Sequence, residues 1–156
     1  MSKVEVRAWV DGSYSTVNST PIYGAGAVVY LGDNTVPISV SCANSNTNWA
    51  RMRNVAGEML SVISVLEQLE PFKDKIERVI IFYDYEGLEK WVTGEWKAKK
   101  DCTIAYRNYV KEKQKMFPIS FQKVTAHTGN INNETADKLA KKAVQDYALS
   151  LERAVE

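Results

Sequence analysis

Five consecutive apolar residues, Val79-Ile80-Ile81-Phe82-Tyr83, run without interruption and close on Asp84. A strand with one face in water alternates apolar and polar residues. An unbroken run suits a strand covered on both faces, as in a parallel sheet flanked by helices. This segment alone narrows the chain to an α/β architecture with Asp84 at the carboxyl end of a central strand. A carboxylate in that place is costly to desolvate unless something answers its charge. The chain is long enough for such a fold: 156 residues suit one domain, residues 1–156, with a sizeable core. Its 45% hydrophobic and 25% charged residues are the balance of a globular chain, not a disordered one.

The other elements read from the same periodicities. Val4, Val6, Ala8 and Val10 alternate with Glu5, Arg7 and Trp9, which predicts a strand ending in a turn at Asp11-Gly12-Ser13. A second strand runs from about Ile22 to Leu31, where Gly24 and Gly26 indicate close approach of another backbone or a ligand. Gly32-Asp33-Asn34 turns the chain, and Val36, Ile38, Val40 and Cys42 form a third strand, completing an antiparallel meander. After a polar loop from Asn44 to Asn48, Asn54 caps a helix with apolar positions Val55, Met59, Ile63, Leu66 and Leu69, stopping before Pro71. Leu88 to Val92 predicts a short helix, and Thr103 to Met116 a longer one. Pro118 opens the last strand, Ile119 to Val124. Thr125 to Asn133 is a polar loop, and Ala136, Leu139, Ala140, Ala143, Val144 and Tyr147 mark a terminal helix capped by Asn132 or Asn133. The order βββαβααβα describes a five-stranded mixed sheet, three strands antiparallel and two parallel, flanked by helices.

Composition excludes several function classes. No apolar run approaches the roughly 20 residues that span a bilayer, and Met1-Ser2-Lys3-Val4-Glu5-Val6-Arg7 carries charges where a signal peptide needs apolar residues, so a cytoplasmic protein without membrane contact is expected. Cys42 and Cys102 lie far apart with no CxxC, which predicts free thiols. A net charge of +1 excludes gripping nucleic acid by bulk charge. The charge is uneven, however: between Lys97 and Lys115 seven cations stand against Asp101 and Glu112, a local balance of +5. Such a run is either a solvated face or a surface for a phosphate backbone.

Four carboxylates fall where an α/β sheet builds its sites, at the carboxyl edge of parallel strands and the adjacent helix starts. Asp11 ends the first strand, Glu58 lies about one turn into the first long helix, Asp84 ends the buried strand, and Asp137 opens the last helix. Each has a plain structural use taken singly: a turn before Gly12, a favourable charge at a helix N-terminus, a strand terminator. Together they repel unless cations neutralise them. Hard oxygen donors with no histidine cluster and no thiol pair favour Mg²⁺, with Mn²⁺ as a substitute, over zinc. His127, the one histidine, stands in a Gly/Asn loop rather than on an apolar face, which points to proton transfer.

Asp11-Gly12-Ser13, Asn54-Val55-Ala56-Gly57-Glu58-Met59, Phe82-Tyr83-Asp84, and His127 followed ten residues later by Asp137 together resemble type 1 ribonuclease H, over about Val4 to Tyr147. The stretch from Asp84 through Trp91 to Lys97 resembles bacterial members often joined to a viroplasmin-like hybrid-binding domain, which these 156 residues do not include. Tyr85 departs from the small hydroxyl residue many members carry after the aspartate, and the basic handle is shortened, with no extra helix before Thr103.

The resemblance implies a ribonuclease H fold and an endoribonuclease that hydrolyses the RNA strand of RNA–DNA hybrids, leaving 3′-hydroxyl and 5′-phosphate ends. It implies two metal ions about 4 Å apart, with Asp11 bridging both, Asp137 completing the first, Glu58 and Asp84 holding the second, and His127 accepting a proton or aiding product release. Gly12, Ser13, Met52 and Asn54 become the groups that meet the RNA 2′-hydroxyls. Trp91, Trp96, Lys97, Lys99 and Thr103 become contacts to the DNA strand, although one of the two tryptophans can equally be core. A monomer with no small-molecule cofactor is expected. Two other readings remain: a catalytically dead copy that only binds nucleic acid, against which the four acidic residues argue, and another nuclease on this fold, such as a junction resolvase.

Overall fold

The computed structural model describes residues 2–125 and 130–155. Its sheet has five strands in the order β3-β2-β1-β4-β5. β1 (Val4–Val17), β2 (Thr20–Leu31) and β3 (Ile38–Asn44) form the antiparallel meander, and β4 (Ile76–Tyr83) and β5 (Ile119–Lys123) join β1 in parallel. The helices are α1 (Thr47–Ala50), α2 (Asn54–Leu69), α3 (Gly87–Thr93), α4 (Asp101–Gln114) and α5 (Ile131–Val155). A 3₁₀ segment, Glu70–Lys75, follows α2 with Pro71 in its first turn, so α2 stops where the proline was expected to end it.

The turn expected at Asp11-Gly12-Ser13 is not there. β1 runs straight through it to Val17, and the chain reverses at Asn18 (φ 49°) and Ser19 (φ 66°), a two-residue hairpin. Gly12 serves the packing of α2 instead. A Cβ at this position would lie 2.3 Å from the Glu58 amide nitrogen and 2.5 Å from the Asn54 carbonyl oxygen. The close approach expected at Gly26 is present: a Cβ there would sit 2.0 Å from the Ala136 carbonyl of α5.

These contacts define the layers. Alternation along β1 sends Val6, Ala8 and Val10 to one face, where they meet Met59, Val62 and Leu66 of α2, Leu88 of α3, and Tyr106 and Val110 of α4. The opposite face carries α5, whose Ala136, Ala140 and Ala143 are buried and small enough for its backbone to ride on β2. The Tyr106 hydroxyl donates to the Leu88 carbonyl at 2.6 Å and ties α4 to α3.

Four further expectations shift. Asn54 does not cap α2: Arg53 holds the cap position with a positive φ of 54°, and Asn54 is the first helical residue. Asn46 caps an unexpected helix, α1, accepting from the amides of Asn48 and Trp49 at 3.0 and 3.2 Å. Asn130, rather than Asn132 or Asn133, caps α5, accepting from both their amides at 2.9 and 3.2 Å. The third strand begins at Ile38, leaving Val36 exposed. Cys42 and Cys102 are free thiols, and among the described residues no helix is long and apolar enough to cross a membrane.

Candidate active site

The parallel strands β1 and β4 bring Asp11 and Asp84 side by side, and α2, pressed onto Gly12, delivers Glu58 to them. Each of the three contributes a carboxylate oxygen within 4.8 Å of the others. Glu58 is only 7% exposed, and among the described residues its Oε2 has no hydrogen-bond partner. Burial, then repulsion from Asp84 and Asp11, pushes the Glu58 carboxyl up to about 9. Burial also dominates at Asp11, where the neighbouring carboxylates Asp84 and Asp137 add to it. The Gly12 amide, donating to Asp11 Oδ1 at 2.8 Å, only partly offsets them, and the group rises to about 7.

Asp137, in the second turn of α5, lies near enough to Asp11 to add to its raised carboxyl, stands outside the 4.8 Å group of the other three, and pairs with Lys141 Nζ at 2.9 Å. All four predicted acidic residues therefore meet at one edge of the sheet. Lys141 was missed in the sequence, although its place four residues after Asp137 is the helical spacing of an ion pair. His127 lies outside the described residues.

A ligand for this cluster must be a hard cation. All the donors are carboxylate oxygens, and Asp11 and Glu58 are raised by burial first and by neighbouring carboxylates second, which fits Mg²⁺ or Mn²⁺. Without a cation, Asp11 and Glu58 hold on to their protons for the same two reasons.

The expected substrate contacts sort into two groups. Ser13 follows Asp11 on the same face of β1, half-buried, while exposed Asn54 and half-buried Met52 lie at the start of α2. Lys97, Lys99 and Lys100 are exposed in the seven-residue connection between α3 and α4, and Lys100 Nζ reaches Met52 Sδ at 3.5 Å, so the two groups adjoin. Trp96 is half-buried with Lys90 Nζ 5.5 Å from its ring centroid.

Other expected contacts belong to the interior. Trp91 is 7% exposed, packed edge-on to Trp96 and Tyr106, so of the two tryptophans it is the core member. Thr103 is 2% exposed, and its hydroxyl is engaged with the Lys100 backbone amide at 3.1 Å and carbonyl at 3.0 Å, closing the start of α4. The seven-cation run is not one surface either. Lys113 is buried against Glu70 at 2.7 Å and Lys115 pairs with Glu112 at 2.8 Å.

The family model described as RNase H matches residues 3–145. A ribonuclease H of Campylobacter jejuni strain 81-176 is 29% identical over 103 residues, covering 61% of this chain and 68% of the relative. A protein called ribonuclease HI from another strain of that species matches equally. Among solved structures, RNase H1 from the halophilic archaeon Halobacterium salinarum NRC-1 superimposes with a TM-score of 0.72 at 24% identity, covering 91% of this chain and 98% of that one. LC11-RNase H1 in complex with an RNA/DNA hybrid gives 0.71 at 18% identity, with the same coverage.

Proposed function

Because the chain belongs to the ribonuclease H family, we propose that it hydrolyses the RNA strand of RNA–DNA hybrids endonucleolytically, leaving 3′-hydroxyl and 5′-phosphate ends. One observation carries this reading: Asp11, Glu58 and Asp84 converge within 4.8 Å, with Asp137 near Asp11, at the edge where β1 and β4 end their pairing. Asp11, Glu58, Asp84 and Asp137 would hold two divalent cations, Mg²⁺ or Mn²⁺. When bound, these supply the Lewis-acid charge that stabilises attack on an anionic phosphodiester.

The chain's own residues do the rest. Asp11, with Glu58 and Asp84 within 4.8 Å and Asp137 nearby, would be the central carboxylate of the set. Ser13 and Asn54, with the Gly12 and Met52 backbone, meet the RNA 2′-hydroxyls, the feature that tells RNA from DNA. Lys97, Lys99 and Trp96 approach the DNA strand from the far side of Met52. His127 would take a proton from the attacking water or aid product release; its replacement by Ala should lower turnover, roughly 10²–10⁴-fold for the proton-transfer role, with little change in KM. A loss of hybrid affinity at normal turnover would make it a substrate contact instead.

The test uses labelled hybrid, double-stranded RNA, double-stranded DNA and a four-way junction, each with Mg²⁺. Cleavage confined to the RNA strand of the hybrid is expected, and Asp11→Asn should abolish it while the protein stays folded. Junction cleavage without hybrid cleavage, or Mg²⁺-dependent activity in Asp11→Asn, overturns the reading.

A further inference from the structure

Two residues before Asp11 and two before Asp84 stand Trp9 and Phe82. They are register partners in the parallel β1–β4 pair, and the last such pair. Beyond them β1 continues beside β2, while β4 stops at Tyr83 and releases Asp84. The two rings stack, with centroids 4.3 Å apart and planes 7° from parallel.

The stack is itself braced. Trp9 meets Tyr30 edge-on at 5.7 Å, and the Arg7 guanidinium lies 5.8 Å from the Trp9 ring and 5.4 Å from the Tyr30 ring. The Tyr30 hydroxyl donates to Asn132 Oδ1 at 2.9 Å, in the first turn of the helix that carries Asp137. Trp9 is 7% exposed and, among the described residues, its Nε1 has no hydrogen-bond partner, so no polar anchor fixes the indole and its ring contacts matter more. Same-face residues on a strand are about 6.6 Å apart along its axis, and Gly12 faces α2, so Asp11 shares the face of Trp9. The aromatic layer therefore lies next to the carboxylates on both strands and reaches the start of α5.

We propose that Trp9 and Phe82 are positioning residues of the cation site. Their stack locks β1 to β4 at the point where the strands part, and so sets the separation of Asp11 and Asp84. Through Tyr30 and Asn132 the same layer orients the helix end bearing Asp137. An aliphatic residue at either position fills space but gives up the ring–ring attraction and its preferred geometry. The inference rests on the carboxylates holding divalent cations.

The experiment is calorimetric titration of Mn²⁺ into the full chain, alongside kcat and KM on the hybrid. Phe82 is half-buried at the sheet surface, which favours folding of its variants. Phe82→Leu should weaken Mn²⁺ binding roughly tenfold or more, the usual effect of losing a group that orients metal ligands, and should lower kcat at unchanged KM. Phe82→Tyr, which keeps the stack, should restore both. Val65→Ala, a truncation elsewhere in the core, should lower thermal stability and leave Mn²⁺ affinity alone. Should Phe82→Leu fail to fold, Trp9→Phe, with a smaller overlapping ring, is titrated instead: weaker binding supports the inference. Wild-type affinity in the folded variant, or an equal loss in Val65→Ala, overturns it. A wild-type chain that binds no Mn²⁺ and cleaves no hybrid overturns the functional reading, and this inference with it.

Discussion

Asp11 and Glu58 carry raised carboxyls for one reason, burial beside like charges, and this makes stability depend on pH in a definite direction. Asp11 rises from 3.8 to about 7 and Glu58 from 4.5 to about 9. The folded state therefore holds protons that the unfolded chain releases. That contribution is full below the unfolded values, about pH 4, and is lost as pH climbs through about 7 for Asp11 and about 9 for Glu58. In EDTA the unfolding free energy should fall with rising pH across this window, by at most about 1.4 kcal/mol per pH unit for each group. Mg²⁺ should flatten the slope, because cations replace the protons. Asp11→Asn should remove the Asp11 share and raise the metal-free melting temperature above pH 7. Thermal unfolding at a series of pH values, with and without Mg²⁺, measures all three. A flat metal-free profile would show that the two carboxyls titrate normally.

Between elements, the decisive contact is α2 against β1. Gly12 and Gly57 face each other there, and a Cβ on Gly57 would meet the Gly24 carbonyl oxygen at 2.2 Å and the Gly12 Cα at 3.0 Å. The missing side chains let the helix backbone touch the strand backbone, which carries Glu58 to Asp11. Gly12→Ala has only backbone to displace, so it should cost about 1–3 kcal/mol, as overpacking does. It should also weaken Mn²⁺ binding, because α2 moves away with Glu58. Chemical denaturation and Mn²⁺ titration of the variant report the two effects. Full metal affinity in a destabilised Gly12→Ala protein would mean that Glu58 reaches the cluster by side-chain adjustment alone.

For the whole molecule, charge distribution matters more than net charge. Besides Arg51 and Arg53, which flank Met52, the exposed cations on this side are Lys97, Lys99 and Lys100, in the connection that reaches Met52 through Lys100 Nζ; none of the three lysines forms an ion pair among the described residues. Replacing all three with Ala should make the salt dependence of hybrid binding shallower, by up to about 0.9 in slope for each phosphate no longer neutralised. Affinity should fall equally for every hybrid sequence, since phosphate contacts carry no sequence information. Cleavage products should not change, because the carboxylates lie elsewhere. Anisotropy measured across a salt series decides it: an unchanged slope would return these lysines to a solvated face.

What the sequence determined by itself is local and periodic. The apolar run ending in Asp84, the alternation along β1, the proline after α2 and the four acidic residues in order were all legible, because side-chain period reports which face is buried and motif order survives folding. Tertiary structure decided what depends on a neighbour. Asp11-Gly12-Ser13 has the composition of a turn, but α2 needs Gly12 as a flat place on a continuing strand, so the turn moved to Asn18-Ser19. The α2 core face was expected at Val55, Met59, Ile63, Leu66 and Leu69; Met59, Leu66 and Leu69 are buried, but Val55 and Ile63 are half-buried while Val62 and Val65 are fully covered, because sheet and α4 together set which face packs. Trp91, Thr103 and Lys113 stand among lysines in the sequence, but Trp91 in α3 and Thr103 and Lys113 in α4 are buried where these helices pack. The stack of Trp9 on Phe82 joins residues 73 positions apart and has no signature in either strand alone. Close backbone approach and ring stacking are pair properties, and only the packed sheet and helices bring the pairs into being.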